Sequence, residues 1–103
     1  MKYAVIKEEY AYDSESKEFK GIPGKLNTVV ASDLSFKDAI DIIESNVKTD
    51  ESLAAIKVAC TTEEEREIYD SLHSRLDETK KNRTNKRITH WYIKPCLDYK
   101  ILS

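Results

Sequence analysis

Leu53-Ala54-Ala55-Ile56-Lys57-Val58-Ala59-Cys60-Thr61 is the stretch on which the fold turns. Two readings compete for it. The alanines and the preceding Thr49-Asp50-Glu51 would suit a short helix. Against that, Ile56, Val58 and Cys60 recur with the period of two that puts side chains on one face of a strand. The run is short and ends at a fresh helix-start signal, and both features favour the strand.

A strand here separates two amphipathic helices. Upstream, Ser35 can accept from the free N–H groups of an opening turn, with Asp38 three residues on. Phe36, Ala39, Ile40, Ile43 and Val47 then share one helical face, and residues 46–50 make a stop. Downstream, Thr62 and Glu65 have capping-box spacing, and Glu63, Glu64 and Glu65 lie where the helix dipole is positive. Ile68, Leu72 and Leu76 form a narrow apolar stripe, widened by Tyr69, and Lys80 and Lys81 close the helix.

Strands are expected at both ends of the chain. Residues 2–10 alternate loosely around Tyr3, Val5 and Ile6, followed by polar (residues 13–17) and Gly/Pro (residues 21–24) breakers. A returning strand is best placed at residues 25–31, around Leu26, Val29 and Val30. Ile88, His90 and Tyr92 alternate with Thr89, Trp91 and Ile93 as a further strand, interrupted by Pro95. Leu97, Tyr99 and Ile101 suggest an extra edge strand. The expected fold is α+β, in the order β-β-α-β-α-β: a small, mostly antiparallel sheet with two amphipathic helices packed on one face.

A chain of 103 residues suits one domain. Charged residues make up 35% of it and apolar residues 40%, a composition that folds rather than staying disordered. No apolar stretch is long enough to span a bilayer and no secretory signal is visible, so no membrane contact and a cytoplasmic setting are expected. In that setting Cys60 and Cys96 are expected to be reduced and packed rather than bridged. The lysine- and glutamate-rich make-up resembles that of small accessory proteins of phages and other mobile elements.

The net charge of −2 conceals a division: residues 1–78 carry a balance of −8 and residues 79–103 one of +6. Lys80, Lys81, Arg83, Lys86, Arg87 and Lys94 cluster around His90, Trp91 and Tyr92, with no acid among residues 79–95. Cations beside flat side chains are what nucleic-acid binding uses. The plainer reading is a helix end dressed with cations and aromatics turned into a core. Strand alternation divides the patch: if Trp91 and Ile93 face inward, His90 and Tyr92 face outward, or the reverse. The turn at residues 80–87 then remains the accessible part.

Glu63, Glu64, Glu67 and Asp70 form an acidic patch that could imitate a phosphate backbone or steer toward a basic partner. A solvated helix face explains the same residues. Tyr3, Tyr10 and Tyr12 share a strand region, either as ordinary sheet aromatics or as the anchor of a protein interface. His73, His90, Cys60 and Cys96 have no metal-ligand spacing, and two glycines cannot build a phosphate loop. Nothing singles out a catalytic residue, a metal or a cofactor. The expectation is a non-enzymatic binding protein, an inhibitor or adaptor, acting through charged surfaces on a macromolecular partner. A protein partner comes first, with nucleic-acid machinery among the candidates; direct nucleic-acid binding through residues 80–94 is the alternative. The opposed charges also allow a homodimer.

Overall fold

The computed structural model describes residues 1–76 and 86–96. In chain order its elements are β1 (Tyr3–Asp13), β2 (Glu18–Gly21), β3 (Thr28–Leu34), α1 (Phe36–Thr49), β4 (Leu53–Lys57), α2 (Glu63–Leu76) and β5 (Arg87–Pro95). The chain is α+β, with five strands in one mostly antiparallel sheet and two helices. Lys80, Lys81 and Arg83, and the edge strand expected at Leu97, Tyr99 and Ile101, lie outside the described residues.

The deciding stretch is a strand, but a shorter one than its alternation suggests. β4 ends at Lys57, while Val58 and Cys60 still pack against the core. Both helix starts follow their caps. The Asp38 N–H donates to Ser35 Oγ at 3.1 Å, and the Glu65 N–H donates to Thr62 Oγ1 at 3.1 Å. Glu65 also reaches back, accepting from the Thr61 N–H at 2.9 Å. All five residues of the α1 stripe are buried.

Where one returning strand is expected, there are two. β2 folds back on β1 through a four-residue turn that Asp13 organises. Its carboxylate accepts from the Glu15 N–H at 3.0 Å and the Ser16 hydroxyl at 3.1 Å, and pairs with Lys20 at 3.0 Å. Lys17, at φ 58°, turns the chain in the left-handed region. β3 begins later than expected, at Thr28, and takes the same edge of β1 nearer its N-terminus. β1 is long enough to serve both: residues 10–13 pair with β2 and residues 3–7 with β3.

The other edge of β1 pairs along Tyr3–Ala11 with antiparallel β5, and β4 lies outermost, parallel to β5. Tyr3 and Val5 of β1, Ala54 and Ile56 of β4, and Trp91 and Ile93 of β5 face the helices. They join Ile40, Ile43, Val47 and Leu72 in one apolar cluster. The Lys7 ammonium lies over the Trp91 ring, 5.9 Å from its centroid. At the end of α1, Ser52 Oγ donates to Asp50 at 2.7 Å and lies 2.9 Å from Thr89 Oγ1, tying β4 to β5. The helix layer is closed by Arg75 of α2, which donates to Glu44 of α1 at 2.8 Å.

Candidate functional site: the open face of the sheet

Both helices pack on one side of the sheet, so strand alternation decides what the other side carries. Register places Ala4, Ile6, Glu8, Tyr10 and Tyr12 of β1 there, beside Ile88, His90, Tyr92 and Lys94 of β5. Leu53, Ala55 and Lys57 of β4, Phe19 of β2 and Val29 of β3 complete it by their pairings. Gly21 pairs with Tyr10, and a Cβ on it would meet Leu26 Cδ1 at 2.8 Å, which places the Leu26 side chain over the same face. An antiparallel sheet with one wet face ordinarily alternates apolar inward and polar outward. Here the outward set is mostly apolar or aromatic.

Exposure makes the same point. Among the described residues the exposed large apolar side chains are Met1, Tyr12 (40%), Phe19 (41%), Leu26 (45%) and Val29 (49%). All but Met1 belong to this face. Contiguous exposed apolar surface of this kind marks an interaction site more often than isolated exposed residues do.

The aromatic rings form a row across three strands. On β5, His90 and Tyr92 have ring centroids 6.4 Å apart; His90 meets Tyr10 of β1 at 4.9 Å. Farther along β1, Tyr12 meets Phe19 of β2 at 5.5 Å. Lysines flank the row: Lys57 pairs in register with Tyr92, and the Lys94 ammonium lies over the Tyr92 ring, 5.4 Å from its centroid. Glu8 stands beside His90. Burial and a hydrogen bond to Glu8 push the Tyr92 hydroxyl up to about 12, so it stays a donor at any physiological pH. Burial, then the Lys57 charge, pull the His90 imidazole below its ordinary value, against the opposing pull of Glu8. The ring at the centre of the row is therefore neutral near pH 7.

The basic candidates do not act as one patch. His90, Tyr92 and Lys94 face outward together, the outcome that turns Trp91 and Ile93 into the core. Arg87, paired with Ala11, has the opposite parity and leaves this face. Lys86 is exposed just before β5, and its carbonyl accepts from the Tyr12 N–H. The acidic candidates Glu63, Glu64, Glu67 and Asp70 are exposed along α2, on the helix side of the molecule. Glu65 is a structural residue, capping α2 and accepting from the Tyr3 hydroxyl at 2.8 Å.

Sequence reasoning missed Phe19, Lys57 and the position of Glu8. Phe19 belongs to a strand too short to show a period, and Lys57 and Glu8 meet the row only through strand pairing. The tyrosine group did hold a signal: counted by parity from Val5, Tyr10 and Tyr12 face away from the core and Tyr3 faces into it.

Elsewhere the polar side chains are engaged locally. A cleft of about 330 Å³ between the helices is lined by Lys37, Asp41, Glu44, Glu67 and Arg75, and is crossed by the Glu44–Arg75 pair. Cys60 and Cys96 are free and half-buried; Cys96 Sγ accepts from the Asp33 N–H at 3.4 Å instead of meeting His90. Among the described residues no group of His, Cys, Asp or Glu side chains could hold a metal ion, and no helix is long and apolar enough to cross a membrane. No known protein family, curated protein or solved structure matches this chain.

Proposed function

We propose that this chain is a non-enzymatic binding protein that engages a macromolecular partner through the open face of its sheet, in the manner of an inhibitor or adaptor. One observation carries the reading: Tyr12, Phe19, Leu26 and Val29 are all substantially exposed, and all on the face opposite the helices. Keeping this much apolar surface in water is unfavourable by roughly 25 cal/mol per Å² relative to covering it, so a partner that covers it gains affinity. Polar groups inside the face, Glu8, His90, Tyr92 and the two lysines, supply the orientation that an apolar surface lacks.

The test is affinity capture from the source cell, with and without nuclease. Three forms are compared: the parent chain, a Tyr12→Ser/Phe19→Ser variant and a Glu63→Lys/Glu67→Lys variant. The sheet-face variant is expected to lose the captured partner and the α2 variant to keep it. The reverse result would move the site to the acidic helix and reject the open face.

A further inference from the structure

Resting on that reading, we infer that the occupant of the open face is a single-stranded nucleic acid, with bases stacked along the ring row and backbone phosphates held by Lys57 and Lys94. Four observations converge on this chemistry. The face offers five rings, Tyr92, His90, Tyr10, Tyr12 and Phe19, spread over β5, β1 and β2 with neighbouring centroids 4.9 to 6.4 Å apart. Every base has a π-face, so such a row binds unstacked bases with little regard to sequence.

The local charge is the second observation. The whole chain is acidic, at −2, yet register puts Lys57 and Lys94 on this face against one acid, Glu8. That acid is hydrogen-bonded by the Tyr92 hydroxyl, so it is already engaged within the protein. Third, both lysines gather around Tyr92: Lys57 as its neighbour on β4, and Lys94 over its ring. A base stacked there would have its own phosphate within reach of a cation. Fourth, the most exposed rings, Tyr12 and Phe19, lie at the opposite end of the row, where a strand could run on across β2.

A duplex does not fit the same surface, because its bases are stacked on one another and closed to the rings of a sheet. An acidic peptide would satisfy the lysines but would leave the ring row without flat partners.

Fluorescence anisotropy with a labelled oligothymidine of about twelve nucleotides, its oligouridine counterpart and a matching duplex tests the inference. The parent chain is expected to bind both single strands at low salt, at least tenfold more tightly than the duplex. Tyr12→Ser/Phe19→Ser should weaken binding roughly tenfold or more, in line with the loss of stacking partners. Lys57→Gln/Lys94→Gln should lower the slope of log affinity against log salt by about one. Urea unfolding midpoints close to that of the parent establish that each variant is folded.

Equal affinity for the duplex, undiminished binding by the ring variant, or equal competition by a polyglutamate peptide would overturn the inference. So would the absence of any oligonucleotide binding at low salt. If no oligonucleotide binds but the parent chain captures a nuclease-resistant protein that the ring variant loses, the nucleic-acid inference falls and the open-face reading stands. If the ring variant keeps every partner, both fall.

Discussion

Burial and the Lys57 ammonium both push the His90 imidazole below its ordinary pKa of 6.5, while Glu8 pulls the other way. Lys57→Gln is therefore expected to raise the His90 pKa and Glu8→Gln to lower it further, followed by NMR titration of the ring. Unchanged values in both variants would mean that neither side chain approaches His90. Asp50 obeys a similar competition on the helix side of the sheet. Burial raises its pKa, but the Ser52 hydroxyl and N–H, Lys7 and Thr89 together bring it below the ordinary 3.8. A depressed carboxylate contributes stability above its unfolded pKa and loses that contribution as pH falls through the folded value. Asp50→Asn should therefore destabilise at neutral pH, with the difference from the parent shrinking on acidification below about pH 4. A constant difference in urea unfolding across that range would contradict it. Truncation separates core from face in the same measurement. Ile40→Ala should cost about 2–5 kcal/mol. Phe19→Ser, on a ring 41% exposed, should stay within about 1 kcal/mol.

At the scale of elements, the caps are the local devices most open to test. Ser35→Ala removes the acceptor of the Asp38 N–H and should cost about 1 kcal/mol, while Ser35→Asp should restore most of that. Both helices could be found from sequence because capping chemistry and a 3.6-residue stripe are local signals, and Phe36, Ala39, Ile40, Ile43 and Val47 carry them without tertiary help. β2 could not. It has four residues with a single large apolar side chain, and what holds it is its pairing with β1 and the turn around Asp13. β4 was visible as a strand through Ile56, but its end was not: Val58 and Cys60 keep packing inward after the pairing with β5 has stopped. The ring row was half visible. The alternation of β5 already separated His90 and Tyr92 from Trp91, whereas the partners Tyr10 and Lys57 come from strands far away in sequence, and only their register brings them together.

For the whole molecule, charge has to be counted by face rather than along the chain. The division of −8 and +6 in sequence suggested a basic tail acting on its own. Folding redistributes it: Lys94 of the basic segment joins Lys57 and Glu8 of the acidic segment on one side, while Arg87 turns away and the acids of α2 occupy the helix side. The resulting body has a charged helix layer and an aromatic, weakly basic sheet face, and the second of these is the surface on which a partner would settle. Salt should weaken such binding without abolishing it, because stacking and apolar burial persist when phosphate contacts are screened. The most direct measurement is an amide and aromatic NMR shift map recorded while a short oligothymidine is added. The expected result is perturbation concentrated on Tyr10, Tyr12, Phe19, Lys57, His90 and Tyr92, with α1 and α2 unmoved. Perturbation centred on Glu63, Glu67 and Asp70, or confined to Lys86 and Arg87 with the rings silent, would contradict the assignment of the open face.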